Sequence, residues 1–189
     1  MADVLLLHSA LGLRSGVLAA AERMRGWGHT VTAPDLYEGQ VFDKADDGVP
    51  HMRQVGWERL VDLAEAAAAG MPPGFAVVGM SMGAGLATHL VSTRPGLRGA
   101  VLLYSGELSD RPWPAGVPVQ VHHTIDDPWA DVASSSALVA AVARSGAAAE
   151  LHLYPGGRHL IDDVDLPEHR DDVAAALMWP RVEAFLAQL

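Results

Sequence analysis

The chain has 189 residues, half of them hydrophobic and 19% charged, a balance that suits a folded globule and excludes a disordered segment. Thirteen Lys and Arg stand against 23 Asp and Glu, and the formal charge of -10 excludes the clustered basic surface of a nucleic-acid binder and disfavours an anionic membrane. Cysteine is absent, which excludes disulfides and thiol catalysis.

One domain over residues 1–189 is expected at this length. The opening stretch MADVLLLHSALG carries Asp3, no basic flank, and an apolar run too short for a signal peptide or membrane span, so a cytoplasmic protein without membrane attachment is expected. Short apolar runs then alternate with longer Ala-rich amphipathic segments. That alternation predicts an α/β fold with a mostly parallel sheet and helices on both faces. A strand is expected at 3–7, a helix at 14–27 and a strand at 29–33. Residues 37–54, YEGQVFDKADDGVPHMRQ, show no clean period and read as a long excursion. A helix at 57–69, a strand at 75–79 and a helix at 82–93 follow, then strands at 99–104 and 117–122, a helix at 131–145, a strand at 150–154 and a final helix at 171–189. Gly28, Gly70 and Gly146 stand just past three of the helices, where a left-handed residue commonly ends the run.

The stretch FAVVGMSMGAGLATHL sets Ser81 between Gly79 and Gly83, after a Val-rich strand and before a helix. A nucleophilic serine needs its hydroxyl raised above the sheet, and a sharp strand-to-helix turn does this when its neighbours two residues away lack side chains. The helix that follows aims its first N–H groups at the same spot, so the Met82 amide is an expected oxyanion donor. A Gly-rich turn in a nucleotide-binding fold is the rival reading. It wants a phosphate site, yet GMSMGAG lacks a Walker lysine and GAVLLYSG lacks the acidic residue of a dinucleotide fold.

Serine is a poor nucleophile unless a neutral imidazole takes its proton and a carboxylate orients that imidazole, in the chain order Ser, Asp, His. Asp126 and Asp127 follow the strand VPVQVHH, and Asp127 is preferred because Pro128 biases it to an extended backbone. The last strand runs into GGRHLIDD, a Gly-rich loop carrying His159. His8, His122 and His123 end strands near the same rim, but adjacent histidines on a strand point apart and make a poor metal shell, so neither metal nor cofactor is expected. A second oxyanion donor is expected from LLLHSALGLRSG, through the N–H of Ala10 or, second, Leu11.

These residues resemble the dienelactone hydrolase family of α/β-hydrolases over nearly the whole chain, through HSALGLRSGV, HTVTAPDLYEG, GMSMGAG, HHTIDDPW and YPGGRH in this order. The resemblance implies a compact hydrolase fold without a large lid domain, a triad of Ser81, Asp127 and His159, and Ala10 and Met82 as the oxyanion pair. The founding enzymes of that family have a cysteine at the position of Ser81, a glutamate at that of Ser9, and an arginine shortly after the histidine, where this chain has Asp162 and Asp163. The last difference argues against an anionic substrate.

The sequence therefore predicts a serine hydrolase that cleaves a carboxylic ester, lactone or thioester of a small molecule through an acyl-enzyme, acting as monomer or homodimer. Tyr37, Trp113 and Trp129, together with Met82, are expected to shape an apolar acyl pocket. An acyltransferase using the same triad, or a non-catalytic binding protein that keeps the fold, are the alternatives.

Overall fold

The computed structural model describes residues 1–189, and its organisation follows from where the aliphatic runs fall. Val, Leu and Ala dominate β1 (Asp3–Leu7), β3 (Ala76–Met80), β4 (Ala100–Leu103) and the first half of β5 (Val119–Thr124). Strands of this kind bury both faces. With β2 (Thr30–Thr32) and β6 (Ala149–Tyr154) they form a six-stranded sheet in the order β2-β1-β3-β4-β5-β6, every neighbouring pair parallel. Successive side chains alternate between two cores: Val4 and Leu6 enter one apolar cluster, Leu5 and Leu7 the other. The first cluster is closed by α1 (Ser15–Gly26) and α6 (Asp172–Leu186), the second by α3 (Trp57–Ala69), α4 (Met82–Thr93) and α5 (Val132–Arg144). None of the helices is long and apolar enough to cross a membrane.

From β1 the chain winds outward to β2, then returns past β1 to β3 and continues in the other direction. The loops leaving β1 and β3 diverge at this reversal and leave a crevice at the C-terminal ends of those strands, where ligands bind in open α/β sheets.

Expected and observed elements agree to within a few residues, apart from residues 37–54. That segment contains a helix, α2 (Ala45–Val55), which an absence of clean periodicity had hidden. Two residues mask it. Gly48 is buried against the loop after β1, where a Cβ would come within 2.6 Å of the Ala10 carbonyl, so it is glycine for close packing. Pro50 lies in the second turn and forfeits one helical hydrogen bond. Gly28 and Gly146 adopt the left-handed conformation, with φ of 92° and 83°. Gly70 does not: it stays right-handed at φ -81° because α3 runs on into a turn in which the Met71 amide donates to the Ala68 carbonyl.

Candidate active site

Between β3 and α4 the chain reverses character in one residue. Ser81 has φ 54° and ψ -112°, a conformation that costs a side-chain-bearing residue about 1–3 kcal/mol. The surroundings hold it there. Its N–H donates to the Leu103 carbonyl of β4 at 2.8 Å, and its carbonyl accepts from the Ala84 amide at 2.8 Å. A Cβ on Gly79 would stand 2.1 Å from the Gly83 carbonyl oxygen, and one on Gly83 would stand 2.2 Å from that of Leu7. Both glycines are thus steric requirements of α4 pressing its first turn onto β1 and β3. The outcome is a serine side chain raised into the crevice and only partly buried.

His159 and Asp127 meet it there. Ser81 Oγ lies 2.8 Å from His159 Nε2, and His159 Nδ1 lies 2.8 Å and 3.0 Å from the two carboxylate oxygens of Asp127. An ionised carboxylate only accepts, so Nδ1 carries the proton and Nε2 is left to accept from the serine hydroxyl. The Asp127 side chain is fully buried and also accepts from the Trp129 amide at 2.9 Å, across the turn that contains Pro128. Asp126, the other carboxylate of that loop, is exposed. Helix-capping duty falls to Asp131, which accepts from the Ser134 amide at the start of α5. His122 and His123 project from opposite faces of β5: His122 stacks on His152 and Tyr154, while His123 bonds Ser135. No three His, Asp or Glu side chains converge to hold a metal ion.

The loop carrying His159 is clamped from below. Leu160, Ile161 and Leu166 plug into the core beside α1 and α6, and the Arg158 carbonyl accepts from the Thr124 hydroxyl at 2.8 Å. Asp163, 5% exposed, accepts from Arg14 Nε at 3.2 Å and sits over Gly16 at the start of α1. Burial works against the Arg14 guanidinium, yet the hydrogen bond to Asp43 and the charge of Asp163 together hold its pKa above the usual arginine value. Asp162 accepts from the Tyr104 hydroxyl, whose ring lies edge-on to His159. Burial pushes the Asp162 carboxyl up to about 6 and the Tyr104 phenol well above its ordinary range. Both carboxylates are therefore taken up by Tyr104 and Arg14 and line neither space around Ser81, and the arginine of the founding enzymes has no counterpart at these two positions.

On the other side of Ser81 the loop after β1 turns tightly. Ser9 Oγ accepts from the Leu11 amide at 3.2 Å, which occupies that amide, whereas the N–H groups of Ala10 and Met82 donate to no protein atom. Gly12 closes the turn at φ 88°, where a Cβ would lie 2.3 Å from the Gln40 carbonyl. His8 is structural: Nε2 accepts from the Leu36 amide at 3.0 Å, so Nδ1 donates to the Ser9 carbonyl at 2.7 Å, and burial lowers its pKa.

The space around Ser81 has two parts. A narrow slot of about 30 Å³ lies on the His159 side, between Leu160, His169 and the Ser9–Leu11 turn. A wider cleft of about 300 Å³ opens on the other side, walled by Val49, Met52, Arg53, Trp57, Met82 and Glu107. Trp129, about half exposed, borders both. The other two aromatic residues expected in an acyl pocket lie elsewhere. Trp113 is packed in the core with its indole N–H donating to the Val117 carbonyl at 2.8 Å, because the loop after β4 folds back over α4 and α5. Tyr37 lies beneath the cleft floor, its hydroxyl 3.3 Å from the Met82 sulfur. Sequence reasoning missed the wall formed by α2; the spacing of Val49, Met52 and Val55 was the available signal, interrupted by Gly48 and Pro50. It also missed His169, whose imidazole pKa is lowered by burial and by the charge of His159.

Comparison with known proteins adds to this geometry. The model of the dienelactone hydrolase family matches residues 2–189. Among solved structures, a dienelactone hydrolase-like promiscuous phosphotriesterase from metagenomic libraries superposes with a TM-score of 0.81 at 21% identity, covering 100% of this chain and 87% of its own. The esterase PE8 gives 0.68 at 20% identity, with 99% and 92% covered. A phospholipase/carboxylesterase from Dyadobacter fermentans gives 0.64 at 18%, with 87% and 86% covered. At such identities these likenesses bear on the fold. No curated protein sequence matches the chain.

Proposed function

The chain belongs to the dienelactone hydrolase family and is a hydrolase acting on ester bonds, and on that premise we propose that it works as a serine hydrolase, cleaving a carboxylic ester, lactone or thioester of a small molecule through an acyl-enzyme, with residues 1–189 as one catalytic domain. Ser81 Oγ attacks the carbonyl carbon while His159 Nε2 takes its proton. Asp127 holds the imidazole in the tautomer that leaves Nε2 free and stabilises the imidazolium that forms. The tetrahedral oxyanion receives the N–H groups of Ala10 and Met82, the second reinforced by the N-terminal end of α4. His159 then returns the proton to the departing oxygen or sulfur, and water repeats the sequence on the acyl-enzyme.

One observation carries this reading: hydroxyl, imidazole and buried carboxylate lie in series at 2.8 Å and 2.8 Å, from three loops far apart in sequence. The experiment is labelling with a fluorophosphonate followed by mass spectrometry. Label on the Ser81 peptide of the wild type, and none on Ser81→Ala or His159→Ala, is the expected result. A folded wild type that takes no label would overturn the nucleophile assignment.

A further inference from the structure

The two spaces that meet at Ser81 differ in which reacting group they hold. Ala10, Val49, Ser81 and Trp129 border both, but His159 borders the slot and not the cleft. A departing alcohol must take its proton from His159 Nε2, so it leaves on the slot side and the acyl group is left to the cleft. The cleft suits an apolar acyl group. Val49 and Met52 pack on the second apolar cluster, Met82 belongs to it, and all three line this space of about 300 Å³. The slot holds only about 30 Å³, room for a group of about one or two carbons.

Two rings flank the His159 imidazole where it borders the slot. The Trp129 ring lies 6.4 Å away at 45° and the His169 ring 6.5 Å away at 66°, measured between centroids. They are not held equally. Trp129 is about half exposed, whereas His169 rides on a segment pinned at both ends. The His169 amide donates to the Leu166 carbonyl and the Asp171 amide to the Ile161 carbonyl, each at 2.9 Å, and Leu166 and Ile161 are sunk in the core. Burial and the charge of His159 lower the pKa of the His169 imidazole, so it is uncharged at neutral pH and makes no demand for an ionic group in the slot. The Ser9–Leu11 turn, another wall, is itself backed by Gly48 of α2 against the Ala10 carbonyl. Widening the slot therefore means moving backbone anchored in the core, and a longer alcohol meets that cost.

We propose that this chain hydrolyses open-chain esters of short alcohols, with the alkoxy group in the slot and an apolar acyl group in the cleft, and that His169 limits the size of the alcohol. This rests on the reading of Ser81 and His159 above. An open-chain ester in its extended conformer sends its two arms apart and fills both spaces, whereas a small-ring lactone holds both arms on one side. The Ser81 Oγ–acyl bond forms as the acyl–alkoxy bond breaks, and the serine proton passes through His159 to the alkoxide. Water then releases the carboxylic acid and restores the serine hydroxyl.

The test compares two isomers, methyl hexanoate and pentyl acetate, which carry the longer arm on the acyl and the alcohol side respectively, together with the ring lactone of 6-hydroxyhexanoic acid. Each kcat/KM is divided by the rate constant for hydroxide, which removes intrinsic reactivity. Methyl hexanoate should lead both by about tenfold or more. Its lead over pentyl acetate should fall several-fold in His169→Ala and persist in His169→Phe, which keeps a ring of similar bulk without the nitrogens. A merely structural defect would lower both rates and leave their ratio in place. Equal values, preference for pentyl acetate or the lactone, or a ratio unmoved in His169→Ala would overturn the proposal. So would failure to hydrolyse either isomer by a protein whose Ser81 takes the fluorophosphonate label, and in all these cases the nucleophile assignment stands. If no label is taken up and no ester is cleaved, the reading of Ser81 fails and this proposal falls with it.

Discussion

Removing Arg14 should loosen the loop that carries His159. The Arg14–Asp163 contact is 3.2 Å long between side chains 6% and 7% exposed. At an effective dielectric constant near 20 the attraction is about 5 kcal/mol, opposed by a desolvation cost of several kcal/mol for each ion. The two single variants should differ. In Asp163→Asn the guanidinium keeps the Phe42 carbonyl at 2.6 Å and Asp43 at 2.7 Å, so a loss of about 2 kcal/mol is expected. In Arg14→Met the buried carboxylate keeps only the Asp165 amide at 3.1 Å and the start of α1, and the loss should reach about 3–5 kcal/mol, a fall in Tm of about 6–20 °C for a chain of this size. The double variant should regain part of this, with a coupling of about 2 kcal/mol or more. Urea denaturation gives the energies. Hydrolysis of a short ester should show kcat falling by about tenfold or more in Arg14→Met with little change in KM, since displacement of the imidazole affects the chemical step. Singles within about 1 kcal/mol of wild type, or strictly additive effects, would refute the reasoning.

Gly83→Ala places a methyl group 2.2 Å from the Leu7 carbonyl oxygen, against backbone that cannot rotate away, and should cost about 3 kcal/mol or more along with most of the activity; a Tm within a few degrees of wild type would contradict the packing account. Asp127→Asn should lower kcat by roughly four orders of magnitude with the fold intact, because an amide can present a donor to Nδ1 and select the wrong tautomer; activity within tenfold of wild type would remove Asp127 from the triad. For Asp162, buried and raised from 3.8 to about 6, the folded state keeps a proton through that interval that the unfolded chain has released, so its contribution to stability falls as pH rises through the window. Asp162→Asn should raise Tm near neutral pH and leave it little changed below about pH 4; a neutral-pH Tm at or below wild type would reverse the sign assigned here.

The parts legible from sequence were those in which one local rule governs one residue. Gly79 and Gly83 admit a steric reading from spacing alone, and Pro128 marks Asp127 as a residue fixed in a turn. The order of strands and helices follows from aliphatic runs, so sheet and rim positions were readable too. The cleft was not, because its walls depend on how separate segments pack. Trp113 and Trp129 look alike in sequence, yet the loop after β4 turns the first into the core and the turn after β5 leaves the second at the rim. Asp162 and Asp163 follow His159 closely enough to suggest the site, but one turn directs them to Tyr104 and Arg14. α2 escaped notice because Gly48 answers to a tertiary contact, which local helix preference does not encode.

Much of the wall of the cleft and the hydrogen-bonded series at its base hang from different parts of the chain. Ser81, Asp127 and His159 follow β3, β5 and β6, whereas Val49, Met52, Arg53, Trp57, Ser105 and Glu107 of the lining come from α2, the start of α3 and the turn after β4. None of those segments hydrogen-bonds Ser81, Asp127 or His159, although Gly48 of α2 packs on the Ala10 carbonyl. Selectivity in this architecture is therefore open to change by exchanging short surface segments, with the reactive machinery inherited unaltered.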